Sequence, residues 1–125
     1  MVIRTKRPID EIVFIVDGGG SAITTGLKGY IKVSFSCRIT SCTLLADTTG
    51  SVVVDIWKTS YNNFPPTSDN SICNGNKPTI TDGIKYIDKN LTGWTKTINK
   101  DDVLAFNIES ASNITKLTIS LGVKK

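Results

Sequence analysis

The feature that most constrains this chain is an alternation of apolar and polar residues, which glycine-rich or polar segments interrupt about every ten residues. No segment keeps an apolar stripe at helical spacing over three turns, so the pattern predicts strands and no helix. About eight strands are expected, over residues 11–16, 28–35, 37–47, 51–58, 84–87, a short strand ending at 98, 103–109 and 114–123. This spacing predicts an all-β, single-domain β-sandwich that is jelly-roll-like, with an immunoglobulin-like sandwich as the alternative.

The chain has 125 residues, which suits one domain. Residues 11–125 are predicted to form the β-sandwich, and residues 1–10 to form a basic N-terminal arm that contains Arg4, Lys6 and Arg7. This arm is interpreted either as a partner-binding segment that lies on an acidic surface or as a solvated tail. Residues 59–82 are rich in Asn, Ser, Thr, Pro and Gly, and they predict a long loop that is either displayed for function or disordered.

Three short segments are interpreted as turns between strands. Residues 48–50 predict a hairpin-like turn, and residues 110–113 predict a turn. The glycine run at 17–21 is expected to be a turn rather than a phosphate loop, because it lacks the GK[ST] ending and no helix follows it.

The composition argues against catalysis and against cofactors. Histidine is absent, which removes the commonest general base and metal ligand. The three cysteines, Cys37, Cys42 and Cys73, lack CxxC spacing, so reduced thiols are expected rather than a zinc site, with a disulfide from Cys73 as the alternative. We therefore expect no enzyme activity, no metal and no cofactor.

Charge and hydropathy argue against two classes of partner. The net charge of +4 is spread along the chain and concentrated at its ends, which is not the pattern of a nucleic-acid binder. No apolar run is long enough to cross a bilayer, so no membrane segment is expected. Three aromatic residues, Trp57, Tyr61 and Trp94, are candidates for stacking on sugar rings, but aromatic residues of small sandwiches more often fill the core, and a place in the core is the favoured interpretation for Trp94.

Several blocks of sequence occur in a familiar order. They are DGGGSAITTG at 17–26, LLAD at 44–47, GSVVVDIWK at 50–58, YNNFPPT at 61–67, LTGWT at 91–95 and DVLAFN at 102–107. Together they resemble β-rich modules of tailed-bacteriophage and prophage structural proteins, over roughly residues 13–123. The resemblance carries no catalytic residue with it.

The resemblance implies a non-enzymatic virion protein that is synthesised in the bacterial host cytoplasm. Because the chain has no shaft or repeats, an auxiliary capsid (decoration) or head-fibre protein bound to the major capsid shell is expected. The alternative is a tail-associated module that binds a receptor or host-surface glycans. The strands at 11–16 and 51–57 are apolar on both sides, which predicts a homo-oligomer or a covering partner, and analogy with phage head and fibre proteins suggests a trimer.

Overall fold

The structure is a computed structural model that describes residues 9–125, and these residues form one all-β domain, as predicted. Two single-turn 3₁₀ helices, Tyr61–Asn63 and Ser68–Asn70, are the only helical segments among them, and none of the described helices could span a membrane. The seven strands are β1 (Ile9–Asp17), β2 (Gly26–Lys32), β3 (Cys37–Thr59), β4 (Thr79–Asp88), β5 (Thr97–Ile98), β6 (Val103–Ser112) and β7 (Lys116–Lys124).

The main difference from prediction lies in β3, which continues for 23 residues through the expected hairpin-like turn at 48–50. Its first half pairs with β7 and its second half pairs with β6, both antiparallel. Strands β6 and β7 therefore follow one another along β3, and the turn residues between them form a corner rather than a hairpin. The prediction of a chain reversal at 48–50 is wrong, because the chain bends there and keeps its direction.

The first two strands repeat this arrangement: β1 pairs with β7, and β2 pairs with β6. The sheet order is β1-β7-β3-β6-β2, and both β4 and β5 pair with β3. Strands β3 and β4 run through both halves of the sheet, whereas β1, β2, β6 and β7 each lie in one half, and the sheet folds over itself where β3 and β4 pass from one half to the other. Layer A contains β1, β7, the first half of β3 and the end of β4, and layer B contains β2, β6, the second half of β3 and the start of β4.

Backbone contacts hold the corners together where the sheet folds. The glycine run after β1 packs on the β6–β7 corner, where the Gly18 amide donates to the Thr115 carbonyl at 2.8 Å and the Ile23 amide donates to that of Ile114 at 2.8 Å. The Asp47 carboxylate, at the bend of β3, accepts the backbone N–H of Lys116 at 2.9 Å and the Thr115 hydroxyl. The corners are therefore cross-linked by local hydrogen bonds, which satisfies the backbone groups that the bend leaves unpaired.

The core lies between the two layers. Phe14 of β1 stacks on Phe106 of β6 with ring centroids 4.5 Å apart, and so joins strands that are not neighbours in the sheet. Gly29 of β2 leaves room for this pair, because a Cβ there would come within 2.9 Å of Phe14 Cζ. In the last strand the alternation places four residues inward, and all are fully buried: Leu117, Ile119, Leu121 and Val123. This part of the alternation is confirmed.

The predicted loop at 59–82 is only partly a loop. Strand β4 begins at Thr79, and Ile72, Cys73 and Ile80 are buried. The Ile72 amide donates to the Ile56 carbonyl at 2.9 Å, so this part of the chain runs beside β3. The expectation of a displayed or disordered loop that extends to residue 82 is therefore wrong. The exposed part of the segment is residues 60–70, apart from the buried Pro66. The polar composition predicted a loop, but the apolar residues Ile72, Cys73 and Ile80 are buried and hold the rest of the segment against the fold.

The N-terminal boundary also shifts. Strand β1 begins at Ile9, so the last two residues of the predicted arm belong to the sheet. The arm residues Arg4, Lys6 and Arg7 lie outside the described residues.

Candidate interaction surfaces

The outer surface of the sandwich exposes an unusual number of large apolar side chains. They fall mainly into two groups, one on the outer side of layer A and one on the outer side of layer B. The exposed residues are Ile9, Val13, Ile15, Leu27, Tyr30, Leu45, Tyr61, Phe64, Ile84 and Ile87. Scattered exposed apolar residues are normal, but residues that are neighbours on one face indicate a contact surface.

The first group forms the β1–β4 face, which we define by Val13, Ile15, Leu45 and Ile87. These side chains are 49%, 62%, 50% and 57% exposed. The strand register places Val13 and Ile87 at the two ends of one cross-strand row, and Ile15 and Leu45 in the next row with Lys85. Hydroxyl-bearing residues of β7 and β3 fill the positions between them. The face is thus continuous across four strands.

Charged residues border the β1–β4 face differently at its two edges. On β1, Glu11 and Asp17 flank the apolar pair, whereas Lys85 and Lys89 flank Ile87 at the β4 edge. The Ser120 hydroxyl donates to Glu11 Oε1 at 2.9 Å, which places this carboxylate against the face. The β1 edge is therefore acidic and the β4 edge is basic.

The second group is the aromatic cluster, which we define by Tyr30, Tyr61 and Phe64. Tyr30, on the outer side of β2, meets Phe64 edge-to-face with ring centroids 4.7 Å apart and an interplanar angle of 69°. Tyr61 begins the 3₁₀ turn that ends before Phe64, and it is 66% exposed. Because β6 separates β2 from β3, the chain leaving β3 must cross the outer side of β6 to make this contact.

Of the residues predicted to bind a ligand, Trp57 is half-buried on the outer side of layer B. Its indole N–H donates to Asp55 Oδ2 at 2.9 Å, and Asp55 is only 3% exposed. The Ser71 hydroxyl donates to the other carboxylate oxygen at 2.6 Å, and the Lys77 ammonium lies 3.9 Å from Oδ2. The buried carboxylate is fully partnered, and it fixes the orientation of the Trp57 ring.

The other two candidates differ in position. Trp94 is 7% exposed and its indole N–H donates to the Asn76 carbonyl at 2.8 Å, so it is a core residue, in line with the interpretation favoured for it. Tyr61 is on the surface. Trp57 and Tyr61 are therefore accessible to a ligand, whereas Trp94 is buried in the core.

Sequence reasoning singled out Tyr61 but missed the contact between Tyr30 and Phe64. In residues 28–35 the alternation places Ile31, Val33 and Phe35 on one side and Tyr30 on the other, which was a usable signal. No local pattern links Phe64 to Tyr30, because their contact depends on how the chain crosses layer B after β3. The rows of the β1–β4 face likewise required the strand register.

The thiols offer little reactivity. The structure contains no disulfide among Cys37, Cys42 and Cys73, and all three are buried, as the first interpretation predicted. Burial raises the pKa of Cys42 to about 12, and it also raises the pKa values of Cys37 and Cys73. Within residues 9–125 there is no pocket and no group of three or more metal-ligating side chains. The features that stand out in this part of the chain are surfaces.

Comparison with known proteins identifies no matching family model, no similar curated protein and no similar solved structure.

Proposed function

We propose that this chain is a non-enzymatic structural protein of a bacteriophage particle, either an auxiliary capsid (decoration) protein or a head-fibre protein that binds the major capsid shell. The observation that carries the proposal is the pair of apolar surfaces on opposite sides of one sandwich. A subunit that assembles on a particle needs one contact with its neighbours and another with a different partner. Two separate surfaces satisfy this requirement.

The phage assignment rests on the sequence blocks between residues 17 and 107, which resemble modules of tailed-phage structural proteins and occur in the same order. The proposed location is the virion, after synthesis in the cytoplasm of the bacterial host. The basic residues Arg4, Lys6 and Arg7 complement an acidic patch on a shell, since opposite charges direct and strengthen association.

The test is to purify the phage particles, count copies of the chain by quantitative mass spectrometry and locate it by cryo-electron microscopy. Hundreds of copies on the shell are expected. Absence from the particle would overturn the proposal, and a few copies at the tail would move it to the alternative below.

The role of the arm is tested with a triple variant in which Arg4, Lys6 and Arg7 become Ala. We expect the variant to fold normally and to coat stripped particles more weakly than the wild type. The control variant removes the same number of positive charges from the β domain, by changing Lys28, Lys96 and Lys100 to Ala. If the control loses as much coating as the arm variant, the effect is one of net charge and the arm has no specific role.

The alternative function is a tail-associated module that binds a receptor or host-surface glycans. The aromatic cluster favours it, because Tyr30 shares a cross-strand row with the fixed indole of Trp57, with Ala105 between them, and exposed rings can stack on the apolar faces of sugars. A glycan array with the wild type and with Tyr61→Ala tests this function. Binding that disappears in the variant would support it, since Tyr61 is exposed and its loss should leave the fold intact. An array without any bound glycan would remove it.

A further inference from the structure

We propose that the β1–β4 face is the surface through which copies of this chain associate, with the acidic β1 edge of one copy against the basic β4 edge of another. Residues 11–16 of β1 and residues 51–57 of β3 are apolar on both sides, but their surroundings in the structure differ. The second half of β3 is flanked by the chain itself, through Ser71 and Ile72 beside Trp57 and Ile56. Nothing within residues 9–125 covers the outer side of β1.

The pattern of charges indicates another copy of the chain as the occupant. The outward side of β1 reads Glu11, Val13, Ile15 and Asp17, and the outward side at the β4 edge reads Lys85, Ile87 and Lys89. The apolar residues can therefore face apolar residues, while acidic residues face basic ones. Contact of β1 with β1 would instead bring carboxylates together, which is unfavourable at short range.

The strand register makes this pairing specific. Val13 and Ile87 share a row, and Glu11 lies one row further along with Ser41 of β3, where β4 has ended and Lys89 follows Asp88. When β1 of one copy lies against β4 of another, Glu11 meets Lys89 and Val13 meets Ile87. In the next row, Ile15 meets the aliphatic part of Lys85. These three rows thus have matching partners, while Asp17 pairs with Lys116 of β7 within its own sheet.

The size of the face sets the expected strength of association. Four strands about 4.8 Å apart and up to about 30 Å long give a flat area of roughly 500 Å². Two such faces bury roughly 1,000 Å², which is the lower limit for a specific interface. We therefore expect weak self-association in solution, which strengthens when many copies are held together on a surface.

The experiment is sedimentation equilibrium of the full chain from micromolar to millimolar concentration. The wild type should form a multimer, and Leu45→Asp should raise the dissociation constant at least about tenfold, since a charge would be buried in an apolar contact. The control is Leu27→Asp, which changes a similarly exposed leucine on β2 of layer B and should leave the dissociation constant unchanged. Near-ultraviolet circular dichroism verifies that both variants are folded.

A charge reversal tests the pairing itself and does not depend on Leu45. Glu11→Lys should weaken association, and adding Lys89→Glu should restore it. A wild type that is monomeric at every concentration, a multimer that Leu45→Asp leaves intact, or a double variant that stays dissociated would each overturn the proposal. Self-association in solution is independent of the phage assignment, because particle incorporation is a separate measurement that can succeed or fail alone.

Discussion

The corner of β3 provides the sharpest test of how this sheet folds over itself. Gly50 lies at that corner and is buried. A Cβ added there would overlap the backbone O of Ser112 and would lie 2.8 Å from Ile114 Cγ1. Because Ser112 belongs to β6 and pairs with Ser51, the new methyl group can be accommodated only if the β3–β6 ladder moves. We therefore predict that Gly50→Ala destabilises the fold.

The magnitude follows from two opposing effects. Alanine in a strand is favoured over glycine by about 0.5–1 kcal/mol, because the unfolded chain loses less freedom. Overpacking of a rigid site costs about 1–3 kcal/mol, and a clash with backbone falls at the upper end of that range. The expected net loss is about 2 kcal/mol of the free energy of unfolding.

Gly83 is a matched control, because it pairs with Gly50 on the neighbouring strand β4. A Cβ on Gly83 meets its nearest atoms at 3.6 Å, which is ordinary contact. Gly83→Ala should therefore be neutral or stabilising by up to about 1 kcal/mol. In urea denaturation, where slopes for small proteins are about 1–3 kcal/mol per molar, Gly50→Ala should lower the midpoint by about 1 M and leave the slope unchanged. Equal midpoints for the two variants would refute the steric argument.

Three further predictions concern the polar groups and the thiols. Asp55→Ala should cost about 2–3 kcal/mol and shift the fluorescence of Trp57, because the indole N–H loses its acceptor; unchanged urea denaturation would contradict this. Thiol titration with Ellman's reagent at pH 8 should be slow in the native protein and count three thiols in denaturant, because burial raises the pKa of Cys42 to about 12; rapid native labelling would count against the buried placement. Hydrogen bonds from the Thr115 hydroxyl and the Lys116 amide hold the pKa of Asp47 below its ordinary value of 3.8, so Asp47 stabilises the fold above about pH 4, and that stabilisation is lost as the pH falls through the folded-state pKa. Asp47→Asn should accordingly weaken the fall in urea midpoint between pH 7 and pH 3, and an unaltered fall would contradict the assignment.

The alternation predicted the fold class and most inward residues because burial on one side of a strand imposes a period of two. In β6 the alternation places Leu104, Phe106 and Ile108 inward, and all three are buried. Val103 and Ala105, on the other side of the same strand, are also buried. The chain that crosses layer B after β3 lies over the outer side of β6, and no period within β6 can indicate such a cover.

The breaks in the alternation mark where the sheet folds but do not give the geometry there. Segments 17–21 and 48–50 carry residues that favour a break in a strand, and the turn expected at 110–113 lies at 113–115, because β6 continues to Ser112. A hairpin and a corner need similar residues, because both require tight backbone and local hydrogen bonds. A corner differs from a hairpin only in which strands pair. Before its bend β3 pairs with β7, and after the bend it pairs with β6, both antiparallel. The sequence could therefore locate the fold line without revealing that the sheet is continuous across it.

The same limit explains why a surface could be expected from the sequence before its position was known. Residues 11–16 and 51–57 are equally apolar on both sides, so composition predicts extra burial for both strands. For the second half of β3, Ser71 and Ile72 pair beside the strand, and the outward Val53 and Trp57 are half-buried. For β1, the described residues supply none, and Val13 and Ile15 stay exposed. The free energy gained by burial is roughly proportional to the apolar area removed from water. The additional burial that the sequence predicts is therefore still missing on the outer side of β1. Its acidic flanks restrict what can cover it to a surface that is apolar and basic, and the β4 edge of the same molecule has both properties.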